Sequence, residues 1–361
     1  MSLRLLALLS LLALAACQPA DDGLALQADY LQRLNNALDT DEDIEDFDRA
    51  HLLRYRMPAR RERLIEIPEV RIGLLELLLD VRRCPALQQQ ISLRNSSLGK
   101  QLPPSSRLAY EGDLLRALDA CRTALQQDGN PAVRAALDGL AGQKRAQLPA
   151  VFWNALNGSR EVERYLRFAE QALPVAAAED DAALDALAQL AALGNALPQT
   201  LPPSAVQLDP LFFALHSSPQ GGQLITSLAS LSHTLDQASQ LLESRQRRRP
   251  PCPLGQATPR GRILQNIFVK FYAGALQPYL ALVHQRGQGW SESLRQLSAA
   301  PQSPPATRGY LLSLAGAEQS LWVDFETATA RHVRAWQDTL QSCGLAPGQA
   351  GWHGQAASVD Q

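Results

Sequence analysis

Apolar residues recur along most of this chain at spacings of three and four, the period of a helix with one buried face. From Leu24 onward, Tyr30, Leu31, Leu34 and Leu38 share one such face. The spacing then predicts helices over Arg71–Arg83, Pro85–Asn95, Ser105–Gln127, Pro131–Leu156, Ser159–Leu173, Asp180–Leu197 and Ser204–His216. Gly129-Asn130-Pro131 breaks the pattern and restarts it, because proline is tolerated in a first helical turn. The strongest pattern lies in Gly222–Arg249, where Leu224, Leu228, Leu231, Leu235, Ala238 and Leu242 form a bundle-packing seam. After a loop with Pro250, Pro251, Pro253 and Pro259, Arg262–Gln285 reads as a helix that Pro278 kinks or divides, followed by a short helix over Trp290–Ala300. Beyond Pro301–Pro305, one last long helix is expected to reach Ser342, its stripe running from Leu311 and Ala315 through Trp322, Phe325, Val333, Trp336 and Leu340. Cys343-Gly344 ends it.

Other segments depart from helix. Asp39–Asp48 is acidic, and Asp39-x-Asp41-x-Asp43 lacks the glycine and terminal glutamate of a calcium loop, so it reads as a solvated linker. His51–Val70, with Pro58, Pro68 and the alternation at Leu64-Ile65-Glu66-Ile67, reads as an extended connection. The expected fold is all-α: a multi-helix bundle over residues 24–343, with Pro198–Pro203 the candidate boundary between two closely packed halves, and a mobile Gly/Ala/Gln-rich tail at 344–361.

The first residues follow a different rule. One cation at Arg4 precedes the apolar run Leu5–Leu14, too short to span a bilayer at about 20 residues. Leu14-Ala15-Ala16-Cys17 then sets small residues before a cysteine, the pattern of a bacterial lipobox. Residues 1–16 are expected to be a lipoprotein signal peptide and 17–23 a tether whose lipidated first residue is Cys17, with several acyl chains giving stable anchoring. Gln18 stands where aspartate would retain such a protein in the inner membrane, so the expected location is the outer membrane, facing the periplasm. The best rival span, Leu74–Leu79, is interrupted by Glu76 and flanked by Asp80 and Arg82.

Among five cysteines, Cys17 is assigned to lipid, leaving Cys84, Cys121, Cys252 and Cys343 for disulfides in an oxidising compartment. Of the three pairings open to four cysteines, Cys84 with Cys121 and Cys252 with Cys343 is favoured because each ties neighbouring helical segments. No C-x-x-C spacing supports zinc, and no metal or cofactor is expected.

Composition narrows the function classes. Thirty-four Lys and Arg against 36 Asp and Glu give a net charge of −2, which excludes a general nucleic-acid binder, and 46% hydrophobic residues exclude a disordered chain. Ser97-Leu98-Gly99-Lys100 matches S-x-x-K, but Gly99 and Pro103-Pro104 close a helix where the enzymes open one, and no S-D-N or K-T-G follows. The histidines His51, His216, His233, His284, His332 and His353 are scattered singly, with His233 and His332 placed on helices. Glu161/Glu163 and Asp180/Asp181 read as surface charge. Arg245, Arg247, Arg248 and Arg249 form the sharpest cation cluster, suited to phosphate or to the negative end of a helix, and the second reading is favoured.

These residues resemble a family of gammaproteobacterial lipoproteins classed as a domain of unknown function. The resemblance is carried by Cys17, Tyr30-Leu31-x-Arg33-Leu34, the block from Cys84 through Arg94–Lys100 and Tyr110-Glu111 to Cys121, Gln277-Pro278-Tyr279-Leu280, and His332, Trp336 and Cys343-Gly344. It implies an envelope lipoprotein with recurring cysteine positions and brings no assigned activity. The expected role is non-enzymatic binding of an envelope protein by a membrane-anchored chain. The alternatives are a periplasmic enzyme acting on peptidoglycan or lipid, with either Ser97 and Lys100 or unlinked carboxylates and His332 as candidates, and a carrier of an apolar ligand.

Overall fold

The computed structural model describes residues 22–39, 43–68, 83–126, 130–176 and 180–352. The fold is all-α, and among the described residues every regular element is a helix. Helix α1 is Gly23–Leu38, opened by the Asp22 carboxylate accepting from Leu24 N and closed by Asp39 in the left-handed region at φ 53°. A 3₁₀ segment, Arg49–Tyr55, and a single turn, Arg60–Arg63, lead to α2 (Pro85–Asn95) and a further single turn, Ser97–Lys100. Then come α3 (Pro104–Ala124), α4 (Pro131–Gly158), α5 (Arg160–Leu166), α6 (Ala182–Ala196) and α7 (Ala205–Ser217). The last part comprises α8 (Gln220–Arg248), α9 (Pro259–Ile267), a π-helical segment (Phe268–Leu276), α10 (Gln277–Ala299), α11 (Pro305–Ala315) and α12 (Leu321–Gln341).

Helix α8 is the axis. Its expected seam is buried throughout, from Leu224 to Leu242, each leucine worth roughly 1.5–3 kcal/mol when removed from water. It packs along α12 and against α1, and it also meets α10 and α5. Helices α3 and α4 form a hairpin, and α6 lies between α7 and α10. One core cluster takes residues from both sides of Pro198–Pro203, and Arg116 Nη1 binds the Pro202 carbonyl at 2.7 Å, pressing that segment onto α3.

Several expected elements end elsewhere. The helix expected over Ser159–Leu173 stops at Leu166, because the chain beyond it binds the start of α8 instead. Ala169 N donates to Gly222 O at 3.0 Å, Thr226 Oγ1 to Ala169 O at 2.7 Å and Leu173 N to Ser227 Oγ at 2.8 Å. Only glycine permits that approach at Gly222, where a Cβ would stand 2.3 Å from Arg167 O. The separate helix at Trp290–Ala300 is instead the end of α10, which runs through Gly287 because Trp322 packs on its bare Cα. Pro278 does not break the rod. Gln277 N bonds five residues back to Tyr272 O, and the π-helical stretch absorbs the amide that proline lacks. The expected single final helix is two, parted at Gly316–Ser320, where the Ser320 hydroxyl binds Gly316 O and caps Val323 N. His51–Val70 is less extended than expected, since Asp48 caps a 3₁₀ turn there. The start of the tail expected to be mobile is docked: Leu345 is fully buried and Gln265 Nε2 holds its carbonyl at 3.3 Å.

Disulfides join Cys84 to Cys121 and Cys252 to Cys343, all four sulfurs in or beside the core. The first ties the start of α2 to the end of α3, and the second ties the loop after α8 to the end of α12. Among the described residues, no helix is long and apolar enough to cross a membrane.

Candidate functional site

A surface cleft of about 410 Å³ opens where the 3₁₀ segment crosses α8 and α12. Its floor is small and apolar, with Ala229, Ala328 and Leu321. Its walls are polar. His233 and Gln237, one turn apart on α8, clasp the incoming chain: Glu45 N donates to Gln237 Oε1 at 2.8 Å, and Gln237 Nε2 donates to Glu45 O at 2.7 Å. The same amide reaches His233 Nε2 at 2.7 Å. His51 stacks on Phe47 and comes within 4.6 Å of His233, ring centre to ring centre. Across the cleft Tyr55 donates to Asp324 at 3.4 Å, and Arg331 bridges Asp236 at 3.2 Å to Glu243 at 2.9 Å. Burial pushes the Tyr55 hydroxyl up to about 12, so it stays protonated and serves as a donor. The arrangement supplies fixed donors and acceptors around an apolar floor, which suits recognition of a polar group.

One turn along α12 from the cleft residue Ala328, the fully buried His332 sits at the centre of a hydrogen-bond chain. Trp336 Nε1 donates to Tyr30 Oη at 2.8 Å, Tyr30 donates to His332 Nε2 at 2.6 Å, and His332 Nδ1 faces Ser239 Oγ at 3.1 Å. Ser239 in turn donates to Leu235 O at 2.6 Å. That direction of donors assigns the proton to Nδ1. Burial drives the imidazole down to about 3, with the Arg331 charge acting in the same sense, so His332 is neutral. Burial also holds the Tyr30 hydroxyl well above its ordinary value.

The remaining residues singled out in the sequence are dispersed. Ser97 and Lys100 lie exposed on their single turn, which the Ser96 side chain opens by accepting from Gly99 N at 3.0 Å. Glu163 is more than surface charge, since it pairs with the buried Arg63 at 3.2 Å. His284 packs on Trp322 at 5.3 Å, far in sequence from any other histidine. Arg245 is buried although its neighbours Arg247, Arg248 and Arg249 are exposed, which departs from a uniformly solvated cluster. Cys17, the signal segment, Asp41 of the acidic run, Leu74–Leu79 and His353 lie outside the described residues. Among the described residues, no group of three or more His, Cys, Asp or Glu side chains is placed to hold a metal ion. The cleft itself was not legible in the sequence, because His51, Tyr55, His233 and Asp324 come from three separate segments.

A family model described as protein of unknown function (DUF3080) matches residues 27–347. The chain belongs to this family. The matched DUF3080 region contains both disulfides, the cleft and the His332 chain, and it begins after Cys17. No curated protein and no solved structure matches the chain.

Proposed function

We propose that this DUF3080 protein is a lipid-anchored component of the bacterial envelope, held through Cys17 on the periplasmic face of the outer membrane, where it binds another envelope protein without catalysing a reaction. The observation that carries the reading is the pair of disulfides, Cys84–Cys121 and Cys252–Cys343, a kind of bond that forms and persists chiefly in oxidising compartments. The lipobox at Leu14–Cys17 supports the same compartment independently. Residues 17–22 extend at most about 20 Å, so the helical domain starting at Gly23 would stand close to the lipid surface. The cleft supports a binding role: the His233 imidazole is engaged with the Gln237 amide, and the Asp324 and Asp236 carboxylates with Tyr55 and Arg331, and such pre-paired walls hold a shape for a partner to fit.

The test is fractionation and in-cell crosslinking of the full chain beside Cys17→Ser. The expected result is wild-type protein in the outer membrane with a reproducible crosslinked envelope partner. The variant should keep a precursor size and lose that partner. Identical processing and membrane retention of Cys17→Ser would overturn the anchor. Turnover of an envelope substrate by the purified protein, abolished by a cleft substitution, would overturn the non-enzymatic role.

A further inference from the structure

We propose that Arg245 and Arg260 form an oxyanion site for a phosphate group, at the end of the bundle where α1 stops and α9 starts. Both side chains converge on one residue. Arg245 Nη1 reaches the Asp39 carbonyl at 3.4 Å, and Arg260 Nη2 binds the Asp39 carboxylate at 3.0 Å. Asp39 can face both because it closes α1 in the left-handed conformation, turning its carbonyl and its side chain away from the helix axis.

Asp39 leaves donors over. Among the described residues, Arg245 Nε and Arg260 Nη1 are both buried and find no hydrogen-bond partner. Arg245 as a residue is only 8% exposed. Buried polar hydrogens are nearly always paired, and an unpaired charged donor is the costlier kind. Among the described residues the charges point the same way, since the Asp39 carboxylate binds Arg260 while Arg260 and Arg249 both bring positive charge beside Arg245. Burial and then the neighbouring Arg260 and Arg249 charges depress the Arg245 pKa, which is what crowding of like charges produces.

The helices set the field. Arg260 lies in the first turn of α9, whose N-cap Thr258 accepts from Gly261 N at 3.0 Å, so the positive end of that helix faces the same region. The opposing consideration is that α1 and α8 end here, and cations at helix C-termini are favourable without any ligand. That accounts for exposed Arg247 and Arg248, which sit in the last turn of α8. It does not fill Nε of Arg245 or Nη1 of Arg260. A tetrahedral oxyanion carries several acceptor atoms, and guanidinium groups bind such anions through paired N–H donors. The shared chemistry is a phosphate oxyanion, free or on a lipid headgroup.

The test uses the full chain in detergent, titrated with sodium phosphate against sodium chloride at matched ionic strength, reading the thermal midpoint and calorimetric affinity. Phosphate should raise the midpoint where chloride does not. Arg260→Gln should weaken phosphate binding at least tenfold, and Arg308→Gln, an exposed cation on α11, should leave it unchanged. Arg245→Lys keeps the charge and removes Nε, and it should weaken binding while folding normally. Cosedimentation with phosphatidylglycerol vesicles but not phosphatidylcholine vesicles, lost in Arg260→Gln, would assign the phosphate to a lipid headgroup. Phosphate binding without cosedimentation would assign it to a soluble phosphate. An equal response to phosphate and chloride, or undiminished affinity in Arg260→Gln, would overturn the site.

Discussion

The Tyr30 hydroxyl lies 2.6 Å from His332 Nε2, joining two residues 302 positions apart in the chain. Through this contact the first described helix is bolted to the last, and Trp336 closes the arrangement by donating to the same hydroxyl at 2.8 Å. A neutral imidazole is required, because a proton on Nε2 would meet the Tyr30 O–H head on.

Acid should therefore attack this point. The folded His332 is depressed to about 3, below its unfolded value of 6.5, so the unfolded chain binds more protons between those values. Stability is fully present above about pH 6.5 and is lost as pH falls toward 3, by up to about 1.4 kcal/mol per pH unit for this group. Urea unfolding of wild type and His332→Gln between pH 5 and 7 checks it. The variant should be less stable at pH 7 and show a shallower slope, and equal slopes would show that His332 does not titrate as described.

The Cys252–Cys343 bridge closes a segment of 91 residues. In the chain-entropy model such a loop contributes about 4.6 kcal/mol. The double variant Cys252→Ser/Cys343→Ser should unfold at lower denaturant by that order, and reductant should shift wild type in the same direction. Thiol titration of unfolded, unreduced protein should find neither cysteine free.

Gly222 has backbone where a side chain would go, with Arg167 O 2.3 Å from an added Cβ. Gly222→Ala should lift the strap at 167–174 from α8 and destabilise the protein by about 1–3 kcal/mol. Limited proteolysis should show new cleavage inside the strap. A variant as stable and as resistant as wild type would mean the strap can shift freely.

The clasp on Glu45 is local. His233→Ala/Gln237→Ala should speed hydrogen exchange at the Glu45 amide, which donates to Gln237, while changing global stability by less than about 1 kcal/mol. An unchanged exchange rate would show that the 43–48 segment is held by other contacts.

What the sequence shows and what it hides follow one physical line. Where a helix buries one face against a neighbour, its period writes the element into the chain, as in the Leu224–Leu242 seam and the Tyr30–Leu38 face of α1. The all-α class was legible for that reason, and the disulfide partners from an even cysteine count together with which helical segments neighbour one another along the chain. Element ends were less so. The sequence around Gly287 reads as a break, yet the glycine is there to admit Trp322; Leu166–Leu173 reads as helix, yet α8 offers that backbone better partners.

The all-α fold could be argued from residue pattern because pattern records burial, which is local and periodic, and the family resemblance rested instead on particular residues such as Cys84, Cys121 and Trp336. The cleft, the His332 chain and the Arg245–Asp39–Arg260 cluster could not, because each is assembled from side chains that lie far apart in sequence. Only packing of α1, α8, α9 and α12 brings them within hydrogen-bonding reach. A hydrogen bond is decided over a few tenths of an ångström, and that precision exists only once the core has closed.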